Sequence, residues 1–217
     1  MSKHIYWKYF KYVMNHKKNV FIECMNMAKD YSGEEKRNLI IHAFTHDMSK
    51  FLPCEFIPYA RYDFQNEENN TNKIKEDFEK AWKHHYLHNK HHWDYWIGKD
   101  IPLEYIRQMI ADWRGMSRKF GGNAEEYYLK HYNEFKLTRK SRYYLECNLS
   151  DELFPSGQFT CECDPGYWMT VKENAEFCLK SEKQNNQEST WFRNECIPYY
   201  KNKYHFDLLE VLKAGDN

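Results

Sequence analysis

Residues 34–51, EEKRNLIIHAFTHDMSKF, combine the apolar spacing of a helix with an adjacent histidine and aspartate. Apolar residues recur there at steps of three and four, as in an amphipathic helix. A capping-box signature begins at Ser32 and Pro53 ends the pattern, so we predict one helix over 34–51. His46 and Asp47 lie among its apolar residues. Because imidazole nitrogen and carboxylate oxygen together suit borderline divalent metals, this pair is a candidate for metal binding.

Further helices are indicated along residues 1–153 by the same periodicity and by end signals. They are predicted over 4–28, 54–64, from about 72 into a run of histidines, from Pro102 to about 118, and as one or two helices over 124–148. Beyond them, turn residues predict turns and short strands, one at Thr170-Val171, before a last helix over 206–212. The predicted fold is mainly α, with a helical domain over 1–153 and a mixed, irregular C-terminal extension over 154–217.

The bulk composition narrows the class of protein. Lys and Arg together number 32, as do Asp and Glu, so the formal net charge is zero. That balance disfavours a general nucleic-acid coat, because phosphate-driven binding needs an excess or a stripe of basic residues. No stretch approaches the length of about eighteen apolar residues that a membrane helix needs, and the N-terminus has no apolar leader core. We therefore expect a soluble cytoplasmic protein without a membrane partner.

Seven cysteines at irregular spacing argue against a secreted disulfide framework. Four of them crowd the last third of the chain: Cys161, Cys163, Cys178 and Cys196. A single residue separates the closest pair, which is shorter than the usual spacing of zinc ligands. Reduced thiols are the favoured interpretation, and a structural zinc site stays open.

Five histidines, at positions 84, 85, 88, 91 and 92, continue the helix that begins near residue 72. At about 100° per residue, their side chains fall within an arc of roughly 120°. His85 and His92 match the direction of the apolar residues of that helix best, so these two are expected to face inward. His88 is expected at the rim, and the projection does not settle His84 and His91.

Two more polar residues fall on apolar faces of predicted helices. His16 lies within the apolar stripe of the first helix, and Asp112 lies in one row with two methionines. A lone carboxylate on such a row is costly unless it is paired or bound to a metal. One metal would satisfy four inward-facing side chains at once: His16, His46, Asp47 and Asp112. Lys50, one turn beyond His46, could reach the same cavity as a phosphate-binding cation.

The order of these residues, His16, then His46-Asp47, then Asp112, resembles the pattern of HD-domain metal-dependent phosphohydrolases. Residues 4–150 are also similar, segment by segment, to DUF5662, an uncharacterised phage and bacterial family of HD-like type. The matching segments are Tyr9–Val13 with His16-Lys17, His46–Phe51 with Glu55 and Tyr59, Ala81-Trp82, His85 with Asn89, His91–Trp93 with Trp96, Asp112-Trp113 with Met116-Ser117, and Lys119–Gly122. The ordered set is specific, whereas the His-Asp dipeptide alone is not.

The resemblance implies an HD-like helical bundle and hydrolysis of a phosphoester by metal-activated water, with one or two Mn, Fe, Mg, Co or Zn ions. The metal ligands that it implies are His16, His46, Asp47 and Asp112, with His85 and His91 or His92 completing a two-metal site. The candidate catalytic residues are Asp47, Lys50 and His85, and the candidate phosphate contacts are Lys50, Arg114 and Arg118. His92 is an alternative to His85 as general acid.

Three functions stay open. The favoured one is a phosphohydrolase whose partner is a small phosphorylated substrate, most simply a nucleotide. A nuclease of the same chemistry is the second, and the zero net charge counts against it. The third is a non-catalytic interaction protein of phage type with a structural metal site. A phage- or bacterium-encoded protein of the cytoplasm fits all three, and the sequence does not indicate an oligomeric state.

Overall fold

The computed structural model of the protein describes residues 3–65, 71–149, 170–173, 175–176 and 197–213. Within these ranges the fold is mainly α, as predicted, and contains no strand. Its α-helices are α1 Lys3–Met27, α2 Gly33–Thr45, α3 Pro53–Phe64, α4 Asn72–His88, α5 Leu103–Phe120, α6 Ala124–Lys130, α7 Arg139–Leu149 and α8 Ile197–Tyr204. Short 3-10 helices span Met48–Phe51, Trp93–Trp96 and Leu208–Lys213.

The predicted helix over 34–51 is wrong at its C-terminal end. The helix α2 stops at Thr45, and a separate 3-10 helix begins at Met48. Between them Asp47 has left-handed backbone angles, with φ 54° and ψ 28°. Asp tolerates this region better than most non-glycine residues do. On one continuous helix, the side chains of His46 and Asp47 would point about 100° apart. Because the helix breaks at these residues, their directions are not limited in this way.

The chain forms two compact units. The first comprises Met1–Tyr95 with Arg107–Gly121, and the second comprises Trp96–Ile106 with Gly122–Asn217. In the first unit α1 packs against α2 and α3, and α3 packs against α4. The buried residues of this core are Tyr9, Val13, Tyr59, Ala60 and Ala81. This packing holds together α1, α2, α3 and α4, and several of the candidate site residues lie on these helices or directly after them.

A glycine brings α5 close to α1 within the first unit. A Cβ atom placed on Gly115 would lie 2.7 Å from Val20 Cγ2 and 2.9 Å from the Val20 backbone nitrogen. Real Cβ atoms essentially never lie this close to atoms of another residue, so the two helices can approach only because position 115 has no side chain. Asp112 and His16 lie about one turn before Gly115 and Val20 on their helices. The close approach therefore sets these two residues side by side.

The second unit contains a buried polar network between α6 and α7. Glu146 accepts a hydrogen bond from Tyr128 Oη at 2.5 Å and another from the Val171 backbone N–H at 2.8 Å. Arg142 donates to Tyr128 Oη at 2.9 Å. Val171 lies in a helical segment, so the strand predicted at Thr170-Val171 is wrong. Glu146 accepts the hydrogen bond from the Val171 N–H that, in a β-sheet, would go to a neighbouring strand.

Other C-terminal expectations meet the structure only in part. The last predicted helix is present as the 3-10 helix Leu208–Lys213, and α8 before it was not predicted. The predicted domain boundary after residue 153 lies outside the described residues and stays a prediction. The four crowded cysteines, at 161, 163, 178 and 196, also lie outside them. No helix within the described ranges is both long enough and apolar enough to span a membrane.

Candidate metal centre

Asp47 lies at the middle of a buried group of histidines and carboxylates in the first unit. It is 1% exposed, and its two side-chain oxygens face two different sets of imidazole Nε2 atoms. The break between α2 and the following 3-10 helix places it there. A non-glycine residue in the left-handed region is a sparsely populated conformation that recurs at functional sites.

The first set contains His16 from α1 and His46 from the end of α2. Their Nε2 atoms lie 2.9 Å apart, and each lies 3.3 Å from Asp47 Oδ2. Asp112 of α5 adds its Oδ1 at 3.3 Å from His16 Nε2 and at 3.6 Å from His46 Nε2. All four residues are buried. The structure thus brings together the four residues that helical projection had aimed at one interior point.

The second set contains His85 from α4, with His91 and His92 from the turn that follows it. The Nε2 atoms of His85 and His91 lie 3.3 Å and 3.4 Å from Asp47 Oδ1. His92 Nε2 lies 2.9 Å from His85 Nε2. The second oxygen of Asp112 is 3.9 Å from His91 Nε2. Asp47 therefore contacts both sets, one with each oxygen. Asp112 also faces both sets, but its distance to the second set is longer.

The spacing of these donor atoms matches the ligand sphere of a divalent ion. With metal–ligand bonds of about 2.0–2.2 Å, tetrahedral ligand atoms lie roughly 3.3–3.6 Å from one another. Most contacts in both sets fall in that range, and both sets could hold an ion. Asp47 Oδ1, His91 Nε2 and Asp112 Oδ1 are buried and have no hydrogen-bond partner among the described residues. Since such atoms are costly to bury, a cation accounts for both their spacing and their burial.

Two residues behind the centre orient its histidines. Glu55 of α3 is fully buried, and its Oε2 lies 2.8 Å from His85 Nδ1. His42, one turn before His46, places its Nε2 at 3.1 Å from His46 Nδ1. A histidine that donates its Nδ1–H to an outer acceptor directs the lone pair of Nε2 towards the centre. The carboxylate of Glu55 therefore fixes the tautomer of His85 that binds a metal, and the contact with His42 is compatible with the same tautomer of His46.

The protonation states of His46, His92 and Asp47 also favour a cation, whereas Asp47 and Glu55 raise the pKa of His85 against the effect of burial. Burial lowers the pKa of His46 and of His92 well below the usual range, so both are neutral near pH 7. Burial likewise lowers the pKa of His42 to about 3. Burial alone would raise the pKa of Asp47, but His46 and Lys50 hold it well below its usual range. Neutral imidazole and ionised carboxylate are the forms in which these side chains bind metals.

Three basic residues had been proposed as phosphate contacts. Lys50 Nζ lies 2.6 Å from Asp47 Oδ2, and this carboxylate raises the pKa of Lys50 against the opposing effect of burial. Arg114 is half-buried on α5, whereas Arg118 is exposed and pairs with Glu23 of α1. Neither arginine belongs to the two sets of ligand atoms. Their phosphate-binding role stays a prediction, and Lys50 is the one that borders the centre.

The histidine run divides into inner and outer members. Because α4 ends at His88, His91 and His92 reach Asp47 from a turn, and the helical projection does not apply to them. His91 is 3% exposed, although the projection had left it unassigned. His85 faces inward as expected. His84 and His88 lie outside the two sets that surround Asp47.

Glu55 received no role from sequence reasoning. It lies one helical turn before Tyr59, which is buried, and that spacing is the signal that could have revealed an acid on the inner face of α3. Ser49 Oγ lies 3.0 Å from Glu55 Oε2, and Asn89 Nδ2 lies 2.6 Å from Ser49 Oγ. These residues extend the hydrogen bonding behind His85.

Comparison with known proteins identifies a single family. The profile of DUF5662, a family of unknown function, matches residues 5–154. That range contains every candidate ligand described above. No curated protein and no solved structure shows a significant match to the chain.

Proposed function

We propose that this chain, which belongs to the DUF5662 family, is a metal-dependent phosphohydrolase of HD-like type that acts on a nucleotide or a related small phosphoester. The observation that carries the proposal is the position of Asp47. One of its oxygens lies beside His16 and His46, and the other lies beside His85 and His91. A carboxylate shared in this way could help to hold two neighbouring cations, which would together stabilise charge on one phosphoryl group.

Two ions could be held by the chain's own side chains. His16, His46, Asp47 and Asp112 would hold one, and Asp47, His85, His91 and His92 would hold the other. Bound there, divalent ions would stabilise negative charge on phosphoryl oxygens and activate a water molecule near neutral pH. The predominance of imidazole nitrogen favours Mn, Fe, Co or Zn over Mg. The order of the ligands along the chain supports the HD-like assignment.

Lys50 is the residue best placed to bind the substrate phosphate. Its side chain is 15% exposed, whereas that of Asp47 beside it is 1% exposed, so Lys50 is the member of this pair that a ligand from solvent can reach more easily. A compact charge at that position would hold a phosphoryl oxygen over the centre. His92 is half-buried beside it and neutral, so it is better suited to act as a ligand than as a proton donor.

The test compares the wild type with Asp47→Ala and with Asp77→Ala, a control on α4 that is remote from both ligand sets. Metal content is measured first, and hydrolysis of nucleotides, cyclic nucleotides and short oligonucleotides is then measured with Mn, Mg, Co or Zn. We expect the wild type and Asp77→Ala to bind metal and to hydrolyse a small phosphoester. Asp47→Ala should lose both properties, because it removes the group common to the two sets.

The outcomes separate the competing functions. Equal metal content in wild type and Asp47→Ala would overturn the centre itself. Metal that is lost on substitution, without turnover of any phosphoester by the wild type, would favour a non-catalytic interaction protein. Cleavage of oligonucleotides alone would assign the same centre to a nuclease.

A further inference from the structure

An apolar surface is exposed on the first unit, along α1, the end of α2 and the 3-10 helix that follows it. Trp7 stacks on Phe10 with ring centroids 5.4 Å apart, and Phe10 lies 6.3 Å from Phe51 of the 3-10 helix. Further along α1, Phe21 contacts Phe44 of α2, with ring centroids 5.2 Å apart. Around these contacts lie six side chains that are 46–64% exposed: Trp7, Met14, Ile41, Phe44, Met48 and Leu52.

These six residues form one continuous group, which we call the apolar surface. Each of them either takes part in the ring contacts or lies within one helical turn of a residue that does. Single apolar residues scattered over a protein surface are ordinary, whereas a contiguous exposed group marks a site of interaction. The apolar surface therefore needs an occupant of matching chemistry.

Lysines border the apolar surface. The first 22 residues of the chain contain no acidic residue and five lysines, at positions 3, 8, 11, 17 and 18, although the whole chain has no net charge. Lys11 lies over the ring of Trp7, with Nζ 5.2 Å from the centroid. Lys17 donates to the Phe44 carbonyl oxygen at 3.5 Å, and Lys18 is exposed. The two glutamates of α2 lie in its first turn, at the end opposite to Phe44.

This combination of side chains matches the surface of an anionic lipid bilayer. Apolar side chains enter the boundary between the headgroups and the acyl chains, and lysines beside them are attracted to anionic headgroups. A second copy of the chain fits less well, because a two-fold interface would bring the same lysines close to one another. Single-stranded nucleic acid also fits less well, since four of the six exposed side chains have no ring on which a base could stack.

We propose that the apolar surface docks onto membranes that contain anionic lipids. The protein lies on the lipid surface in this arrangement, which needs no spanning helix. The expectation of no membrane partner rested on the lack of a spanning or leader segment, and a surface contact requires neither. None of the six residues is a candidate ligand of the buried centre, so the proposal does not depend on the proposed activity.

Co-sedimentation of the full-length protein with lipid vesicles tests the proposal. The vesicles contain phosphatidylcholine alone or phosphatidylcholine mixed with phosphatidylserine. We expect binding to the mixed vesicles, and we expect added salt to weaken it because salt screens exposed charges. Phe44→Ser should lower the partition coefficient roughly tenfold, and Lys11→Glu/Lys18→Glu should lower it by roughly tenfold or more. All three side chains are exposed, so thermal unfolding should show that both variants keep the fold.

The matched controls change exposed residues of the same kinds on α4. They are Leu87→Ser and Lys73→Glu/Lys75→Glu, and both should bind the mixed vesicles as the wild type does. A wild type that does not bind the mixed vesicles, or that binds both kinds equally, would overturn the proposal. Undiminished binding by Phe44→Ser and by Lys11→Glu/Lys18→Glu would do the same.

Two further measurements identify a different occupant. Self-association of the wild type without lipid that is lost in Phe44→Ser would assign the apolar surface to a second copy and overturn the membrane proposal. Displacement from the vesicles by a single-stranded oligonucleotide, with tighter binding to it than to lipid, would overturn the proposal in favour of nucleic acid. Metal content and hydrolysis are not measured here, so failure leaves the phosphohydrolase proposal standing, and the reverse also holds.

Discussion

At the scale of single residues, burial distinguishes Glu55 from Asp63, the other acidic residue of α3, which is exposed. Glu55 is fully buried beside two histidines, and those contacts lower its pKa even though burial alone would raise it. A carboxylate that holds a ligand histidine in place usually contributes a factor of about 10–100 to metal affinity. We therefore propose that Glu55 positions His85 and is not itself a ligand.

Glu55→Gln tests that role. The amide keeps the size of the side chain but loses the charge that orders His85 Nδ1–H, so metal affinity of the buried centre should fall by about 10–100-fold. Competition with a fluorescent chelator measures the change. Glu79→Gln, an exposed position on α4, serves as the control and should bind metal as the wild type does. An unchanged affinity in Glu55→Gln would show that His85 needs no orienting partner.

The limits of sequence reasoning are also clearest at this scale. His16, His46 and Asp112 could be predicted because polar residues on an apolar helical face are conspicuous. His91 could not, since it follows the end of α4 and no periodicity constrains a turn. The left-handed conformation of Asp47 was equally hidden, because neither glycine nor proline marks the break after Thr45.

At the scale of elements, the approach of α5 to α1 depends on one missing side chain. Gly115→Ala would place a methyl group within 3.0 Å of three Val20 atoms, two of which belong to the backbone. Overpacking of this kind typically costs about 1–3 kcal/mol. We expect the loss in urea unfolding, together with weaker metal binding as α5 carries Asp112 away from His16.

The double variant Gly115→Ala/Val20→Ala identifies the cause. Trimming Val20 removes the contact with Cγ2 but leaves the contacts with the backbone nitrogen and Cα at 2.9 Å and 3.0 Å. In the Val20→Ala background, Gly115→Ala should therefore still lower the free energy of unfolding, but by less than it does in the wild type. Full recovery would mean that side-chain crowding, and not the approach of the two backbones, limits position 115.

The network between α6 and α7 predicts how the stability of the second unit depends on pH. Burial raises the pKa of Glu146 from 4.5 to about 7, against the opposing hydrogen bond from Tyr128 and the charge of Arg142. An acid whose pKa is raised in the folded state binds its proton more tightly there, so stability falls as pH rises through that window. The loss is on the order of 3 kcal/mol between pH 4.5 and 7.

Glu146→Gln cannot ionise and should lack this fall. Its stability relative to wild type, measured as the difference in free energy of unfolding by urea at several pH values, should therefore increase between pH 4.5 and 8. The two proteins share every other titrating group, so the contributions of those groups to the pH dependence cancel in the difference. A constant difference across the range would show that Glu146 is ionised in the folded state throughout.

At the scale of the whole molecule, the mainly α fold followed from periodicity, and the helices from α1 to α5 begin and end close to the predicted residues, except at the ends of α2 and α4. The C-terminal part was predicted less well. Short segments such as Thr170-Val171 carry too few residues for either a helical or a strand period to be recognised. There the Val171 N–H donates to the buried carboxylate of Glu146, a long-range contact that no local pattern indicates.

Metal binding should stabilise the entire first unit. An ion that binds only the folded state adds about 2.7 kcal/mol at a free concentration one hundred times its Kd. Thermal unfolding with and without Mn or Zn should show a rise in Tm in the wild type that EDTA reverses. In Asp47→Ala the shift should disappear, and a persistent shift would place the stabilising ion elsewhere.

The ligands of the buried centre are also far apart along the chain, since His16 and Asp112 are separated by 96 residues yet lie 3.3 Å apart. Loops of that length must close before the last carboxylate can arrive, which makes this contact entropically expensive during folding. We therefore expect an ion at this centre to bind late, after α5 has docked. Its main kinetic effect should be to slow unfolding, and a nascent chain cannot hold it fully until synthesis has passed residue 112.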